Sequence, residues 1–182
     1  MQNWYERAPS SFLYAVKAPK TITHLKRFEN CEEELDIFYK VCREGLREKL
    51  GCFLFQLPPS FSFHQDRLER IISQLNPDVT NVVEFRNASW WRDDVKAAFT
   101  EHNILFCSVS YPNLPEELTV LNGICYLRLH GKPRLFYSEY HTSELEHFLK
   151  KLPQKSFVYF NNTANESGIK NAVEMLRLSL SE

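Results

Sequence analysis

The 182-residue sequence lacks any apolar run that approaches the roughly 18 residues of a membrane-spanning helix. Its first residues, MQNWYERAPSSF, contain no apolar stretch of the kind found in secretory signal peptides. The formal net charge is −1, so no overall field attracts nucleic acid or a membrane surface. Together these absences predict a cytoplasmic protein that is not bound to a membrane.

The sequence also lacks the cysteine spacings of metal knuckles and disulfide frameworks. Its five cysteines form an odd set without a C-x-x-C pair, and most of them lie in apolar runs. We interpret them as reduced thiols of the core. Neither a P-loop nor a G-x-G-x-x-G motif is present, so the sequence predicts no nucleotide cofactor, and we assign no cofactor.

What the sequence does contain is an alternation of short apolar runs and helical patterns. Most runs precede a segment with apolar residues three or four apart, although 112–122 is expected to be an irregular turn. Strands that alternate with helices in this way predict an α/β fold with a parallel sheet. The predicted strands lie in FLYAVKAP (12–19), CFLFQLPP (52–59), NVVEFRN (81–87), ILFCSVSY (104–111), ICYLRLHG (124–131) and FVYFNN (157–162).

Polar side chains of one parity gather at the carboxyl ends of these runs. Alternate residues of a strand point to the same face, and parallel α/β proteins build their sites at the carboxyl ends of strands. We therefore predict that these side chains line one pocket, with a purely structural polar cluster as the alternative. For the run 104–111, the sequence does not decide which of the two alternating sets of side chains faces the pocket. The pocket residues are Lys17, Gln56, Glu84, Arg86, Arg128, His130, Tyr159 and Asn161.

Five motifs in order resemble a known family: VKAPKTITH, LFQLPPSF, VVEFRNASWW, YLRLHGK and FVYFNN. From about residue 4 to about residue 175, the chain resembles the YecE-like family, also catalogued as domain of unknown function 72. The resemblance implies a TIM-barrel-like fold with no established activity. Family members carry an upstream segment that supplies the first two β/α units, so it implies one partial barrel domain over 1–182, with six of eight β/α units.

A barrel without two units would leave its sheet open. The first and last strands would then be edges with unpaired backbone groups, and apolar side chains that the absent helices cover would lie exposed. We therefore expect an open six-stranded sheet that self-associates or binds a partner.

The sequence does not decide whether the protein is an enzyme. If it is, Glu84 is the predicted general acid or base and His130 its proton-transfer partner, while Lys17 and Arg128 stabilise developing negative charge. Arg86 would orient Glu84 and keep it ionised. Lys17 as a Schiff-base lysine is an alternative that the spacing does not demand.

Basic residues crowd two strand exits and favour an anionic small molecule, such as a phosphate ester. One group follows the first run around His24, and the other includes Arg128 and the loop 131–134. Guanidinium groups suit a bidentate grip on such an anion, although an ordinary solvated surface is the alternative for the loop cations. The predicted substrate-binding residues are His24, Gln56, Arg86, Tyr159, Asn161 and Asn162.

Two further functions stay open. A metal site of His24, Glu84 and His130 is poorly supported because these ligands lie on separate segments, so we assign no metal. Trp90 and Trp91 beside Arg92 would suit base stacking by a nucleic-acid-binding or nuclease-like barrel, which is the alternative function. The simpler interpretation of the tryptophans is a hydrophobic start to the following helix.

Overall fold

A computed structural model describes residues 2–181 of the chain, which divides into two compact units. The first unit ends at Ile104 and the second begins at Leu105. In each unit, helices cover one face of a set of parallel strands.

The first unit pairs its strands in chain order. β1 pairs with β2 and β2 pairs with β3, in both cases parallel. A π-helix, Thr21–Lys26, follows β1, and short 3₁₀ helices span Arg47–Lys49 and Ala88–Trp90. The strands are β1 (Tyr14–Lys17), β2 (Leu50–Gln56) and β3 (Asn81–Glu84), and the α-helices are α1 (Gln2–Arg7), α2 (Glu32–Leu46), α3 (Gln65–Gln74) and α4 (Asp93–Glu101).

Aromatic packing defines the helix-covered face of this unit. The ring centroids of Tyr39 in α2 and Phe53 in β2 lie 4.7 Å apart, and Phe85 stacks on Trp90 at 4.0 Å. Side chains of opposite parity point to the other face of the strands. The sheet therefore separates an apolar, helix-facing side from the side that carries Gln56.

In the second unit β6 is the central strand. It pairs in parallel with β4 and β7 and antiparallel with the short strand β5. The strands are β4 (Ile104–Ser110), β5 (Val120–Leu121), β6 (Ile124–Leu129) and β7 (Lys155–Phe160), and the helices are α5 (Thr142–Leu149) and α6 (Ser167–Ser179). The apolar core is made by Cys125, Leu127, Leu129, Tyr140, Leu145, Phe148 and Met175.

The register of β4 resolves the parity that the sequence left open. Cys107 lies opposite Tyr126, and Val109 lies opposite Arg128. These residues therefore share the face that points away from the helix-covered core, whereas Ser108 pairs with the core residue Leu127.

The predicted α/β fold with mostly parallel strands is confirmed, and each of the six predicted runs overlaps a strand, although β2 and β7 each begin two residues before their runs. The segment 112–122 differs from expectation because it contains β5, which pairs with β6. The partial barrel domain over 1–182 and the open sheet stay predictions.

The five cysteines are free and buried, as predicted. Burial raises the pKa of the Cys52 thiol to about 12 and that of Cys42 to about 11, which keeps both protonated and unreactive. Within the described chain, every helix is too short or too polar to span a membrane.

Phe85→Ala tests the core of the first unit. The ring is fully buried, so its truncation loses apolar contact and leaves a cavity. We expect the free energy of unfolding, measured in urea, to fall by about 3–5 kcal/mol. Ile37→Ala is the control because Ile37 is 56% exposed on α2, and its effect should stay below about 1 kcal/mol. Similar losses in both variants would contradict this description of the core.

Candidate functional site

Four predicted site residues form a row at the carboxyl ends of β1, β2 and β3. Lys17 Nζ donates a hydrogen bond to Gln56 Oε1 at 2.9 Å. Gln56 and Glu84 lie opposite each other in the β2–β3 register, and Arg86 Nη2 lies 2.5 Å from Glu84 Oε1. The structure thus brings Lys17, Gln56, Glu84 and Arg86 together within the first unit.

The two ends of this row differ in exposure. The Glu84 side chain is 0% exposed and that of Arg86 is 10% exposed, so their ion pair is enclosed. A buried carboxylate needs such a partner because an unpaired buried charge is strongly destabilising. Lys17 is exposed, so the row meets solvent at the lysine end.

The chain leaves β1 through the π-helix Thr21–Lys26. π-helices are rare and frequently lie at functional sites. This one is followed by Arg27 and Phe28, whose backbone φ angles of 52° and 62° are left-handed. The left-handed conformation costs roughly 1–2 kcal/mol for each non-glycine residue, and it persists where the surrounding structure enforces it. The segment after β1 is therefore held in a costly conformation.

Apolar burial behind the π-helix enforces that conformation. Ile22 and Phe28 are both 0% exposed, and the Phe28 ring lies 5.5 Å from that of Phe55 in β2. With these two side chains fixed in the core, the intervening residues have little freedom to rearrange.

We use the name β1-exit cluster for a group of polar residues around this segment: Lys17, Lys20, His24, Arg27 and Gln56. Burial lowers the pKa of His24, and the positive charges of Lys17, Lys20 and Arg27 lower it further. The His24 imidazole is therefore neutral at pH 7, inside a positive field.

One hydrogen bond orients the His24 ring. Its Nδ1 lies 2.8 Å from Thr23 Oγ1, and the Thr23 hydroxyl donates to the Pro19 carbonyl at 3.4 Å. Either Thr23 Oγ1 or His24 Nδ1 can be the donor in the 2.8 Å bond, so the proton of the neutral imidazole lies on Nε2 or on Nδ1 accordingly.

The cations of this segment differ in their partners. Lys26 forms an ion pair with Glu34 and donates to the Asn30 carbonyl at 2.7 Å, so its charge is neutralised. The Arg27 guanidinium instead donates to Ser60 Oγ at 3.3 Å, a neutral acceptor. Arg27 therefore contributes its positive charge to the cluster, whereas Lys26 does not.

A second group of predicted residues lies on the strands of the second unit. Arg128 Nε donates to Asn161 Oδ1 at 2.9 Å, and Arg128 lies opposite Tyr159 in the β6–β7 register. The Tyr159 ring stacks on Tyr126 at 5.2 Å. The structure thus brings Arg128, Tyr159 and Asn161 together on the face that points away from the core.

His130 is enclosed by aromatic rings. It is 1% exposed, and its ring lies edge-on to Tyr111 at 5.5 Å and to Phe136 at 6.2 Å. Its backbone N–H donates to the Ser110 carbonyl at 2.9 Å, which extends the pairing of β4 and β6.

Asn162 lies apart from Asn161, and its role as a substrate contact stays a prediction. It is 0% exposed, and its Nδ2 donates to the Ser138 carbonyl at 3.0 Å and to Asn171 Oδ1 at 2.9 Å. Asn171 in turn donates to the Tyr140 carbonyl at 2.8 Å. Because adjacent strand residues point to opposite faces, Asn162 ties the loop before α5 to α6 instead.

The loop 131–134 offers fewer available charges than its sequence indicates. Lys132 Nζ lies 2.9 Å from Glu116 Oε2 in an ion pair, and the Arg134 guanidinium lies 4.1 Å from the centre of the Tyr137 ring. The density of cations in this loop is therefore a weaker argument for an anion site than the sequence suggested.

The nucleic-acid-binding alternative stays a prediction, although Trp90 is buried in the first unit. It is 0% exposed, its ring stacks on Phe61 and Phe85, and its Nε1 donates to the Phe61 carbonyl at 2.7 Å. Arg92 lies over the Phe63 ring and forms an ion pair with Asp94. These residues belong to the packing of the first unit.

The metal alternative required three ligands to converge. Over residues 2–181, no three histidine, cysteine or acidic side chains are grouped so as to hold a metal ion. The prediction that the residues of both units line one pocket stays a prediction.

Mostly parallel strands that alternate with helices define an α/β protein. The family model described as "Protein of unknown function DUF72" matches residues 1–181, so the chain belongs to the DUF72 family, and the resemblance to the YecE-like family is confirmed.

Solved structures of this family have a similar fold. A DUF72 family protein, TM1631 from Thermotoga maritima MSB8, is 23% identical with a TM-score of 0.86, and the match covers 97% of this chain and 76% of that one. A DUF72 family protein, EF0366 from Enterococcus faecalis V583, is 21% identical with a TM-score of 0.82, covering 97% and 82%. At sequence identities this low, the two matches show that the folds are similar and nothing more. A search of curated proteins found no match.

Gly131→Ala tests how tightly the loop after β6 is packed. Gly131 has a φ of 87°, and an added Cβ would lie 3.0 Å from the Ser138 carbonyl oxygen. Gly123 has a similar φ of 73° but open space around it, so Gly123→Ala is a matched control. We expect thermal or urea unfolding to show a loss of about 2–4 kcal/mol for Gly131→Ala and about 1 kcal/mol for Gly123→Ala. Equal losses of unfolding free energy in the two variants would contradict tight packing at Gly131, because backbone strain alone would then explain both.

Proposed function

We propose that the protein binds an anionic small molecule at the β1-exit cluster. The observation that supports this best is that each charged side chain acting on the His24 pKa is a cation. Such a field attracts an anion, and the guanidinium of Arg27 and the ammonium of Lys20 offer N–H donors to its oxygens. The strained, tightly anchored backbone beside the cluster is typical of a binding or catalytic segment.

The same cluster contains groups suited to acid–base chemistry on the bound molecule. Neutral His24 would exchange a proton with the ligand, and exposed Lys17 would contact the ligand directly. Enclosed Glu84 would act through Arg86, as a positioning residue. Arg128 and His130 would take part in the same chemistry if the two groups of polar residues share one site.

Removing one cation tests anion binding. Lys20→Ala should weaken the binding of sulfate, measured by NMR chemical-shift titration at low ionic strength, by about threefold to fivefold, because one favourable charge is lost at an exposed site. Lys40→Ala on α2 makes the same change in net charge away from the cluster and should leave the affinity unchanged. Equal affinities in all three proteins would reject the cluster as the anion site.

We also propose that the protein self-associates through α6 with a second copy of the chain. Three exposed apolar side chains of this helix, and Leu180 directly after it, form one stripe: Ile169 (69%), Val173 (63%), Leu176 (62%) and Leu180 (79%). Their spacing of four, three and four residues is that of a helix-pairing seam. The stripe alone is small for a stable dimer, so the association is weak and depends on concentration.

Leu176→Lys tests this association. A charge in the middle of the stripe should raise the dimer dissociation constant, measured by analytical ultracentrifugation, by about tenfold or more, because the charge must be desolvated on pairing. Val41→Lys replaces a residue that is 50% exposed on α2 and serves as the matched control. A wild-type protein that stays monomeric at high concentration would refute the proposal.

A further inference from the structure

We infer that two copies of the chain pair through the outer edge of β7, strand against strand and antiparallel, about a twofold axis. The inference rests on the proposed self-association through α6, and it adds the strand edge and a groove beside it to that surface. The partner is therefore a second copy of this chain.

One edge of β7 has no strand beside it in the part of the chain that the structure describes, where β7 pairs with β6 alone. Directly after the strand, the Asn161 N–H donates to the Leu129 carbonyl of β6 at 2.7 Å. Backbone groups of alternate residues point to opposite edges of a strand, so those of Phe157 and Tyr159 also point to β6. The residues whose N–H and C=O groups point to the outer edge are Ser156, Val158 and Phe160.

The sequence of β7 lacks the features that protect exposed strand edges. Such edges are usually guarded by proline, by charged side chains or by a very short strand. β7 has six residues, KSFVYF, with one charge at its first position and no proline. In contrast, β1 has only four residues and ends in the charged Lys17. Of these two strands, β7 is the better suited to pairing with another chain.

The side chains along this edge line a groove that β7 and α6 share. The groove has a volume of about 610 Å³. Val158 and Phe160 line it from the strand, and Met175 and Leu176 line it from the helix. Leu176 also belongs to the exposed stripe of α6. The strand edge, the groove and the stripe are therefore parts of one surface of the second unit.

The stripe has the same spacing in both directions along α6. Its members lie four, three and four residues apart, so an antiparallel copy places Ile169 beside Leu180 and Val173 beside Leu176 of the second copy. An interface about a twofold axis matches one surface with itself in this way. The stripe therefore favours a symmetric pair over a head-to-tail chain.

The outer edge of β7 has a matching symmetry. With Val158 at the twofold axis, it lies opposite Val158 of the second copy, and Ser156 lies opposite Phe160. Each pair exchanges two backbone hydrogen bonds, because both of its residues point their N–H and C=O groups across the edge. Lys155 lies opposite Asn161, so no like charges meet. Since the strand and the stripe border the same groove, one axis serves both.

The area of the stripe shows why the strand edge is needed. Its four side chains offer roughly 250 Å² of exposed apolar surface in total. A specific, stable interface buries roughly 800 Å² on each partner. An edge of six residues is about 20 Å long, and together with the groove it adds the surface that the stripe lacks.

Amide hydrogen exchange of the wild-type protein tests the strand pairing. The Val158 and Phe160 amides should exchange about fourfold more slowly at ten times the dimer dissociation constant than at one tenth of it, because they are open only in the monomer. The Phe157 and Tyr159 amides should be protected at both concentrations, because they face β6. Analytical ultracentrifugation of the same samples gives the dissociation constant. Equal exchange rates of the Val158 amide at both concentrations would overturn the inference.

Proline substitutions locate the contact. Val158→Pro removes the central outward N–H and leaves the bonds of Phe157 and Tyr159 to β6 in place, so the dissociation constant should rise about tenfold or more. Ala15→Pro is the matched control on β1: the Ala18 N–H donates to Leu54 of β2, so the Ala15 N–H, of opposite parity, points away from β2. It should leave the dissociation constant unchanged, and circular dichroism checks that both variants fold. A rise with Ala15→Pro alone would overturn the inference.

The same measurements separate the strand pairing from the helix stripe. If the wild-type protein stays monomeric, the proposed self-association itself fails. If it dimerises and Leu176→Lys weakens the dimer, but Val158 exchange does not depend on concentration, the stripe stands and the strand pairing is rejected.

Discussion

The packing of Phe28 against Phe55 is the interaction on which the candidate site depends. Burying a phenylalanine contributes roughly 1.5–3 kcal/mol, which is comparable with the roughly 1–2 kcal/mol that each left-handed residue costs. The burial of Ile22 in the same segment stabilises this conformation further. The free energy gained by apolar burial is close to the cost of the left-handed residues, so the conformation depends on both apolar contacts. Without them the chain after β1 would relax, and the like charges of the β1-exit cluster would separate.

A second constraint is the division of each unit into two faces. Residues of one parity pack under the helices, as Phe85 does on Trp90 and Leu127 does in the core of the second unit. Residues of the other parity include the polar side chains. The buried charges of Glu84 and Arg86 are tolerated on that face because they form an ion pair with each other. The carboxylate and guanidinium two residues apart in NVVEFRN are thus explained by the strand period.

Much of this could be predicted from the sequence because a strand period of two residues is a strong signal. It indicated the strands, the fold class and the shared face of Lys17, Gln56 and Glu84. It could not show that Lys132 forms an ion pair with Glu116 or that Asn162 donates to Asn171, because neither contact follows from strand or helix periodicity.

The π-helix and the left-handed residues after it were also missed. The segment APKTITHLK contains neither a glycine nor a 3.6-residue apolar pattern, so nothing in it indicates where the backbone departs from a regular helix. The basic residues of that segment were recognised, but the sequence could not separate Arg27, which keeps its charge available, from Lys26, which pairs with Glu34. Such distinctions depend on tertiary contacts.

The central claim is that His24 is a neutral histidine in a positive field that is built to receive an anion. Its most direct test is an NMR titration of the His24 imidazole with and without sulfate, whose charge is constant between pH 5 and pH 8. Without sulfate the pKa should lie below the usual value of about 6.5, so stability should fall as the pH drops below 6.5, where the unfolded chain binds the proton more readily. Sulfate should raise the pKa, because the bound anion offsets the cations. A His24 pKa at or above 6.5 that sulfate does not move would contradict the account.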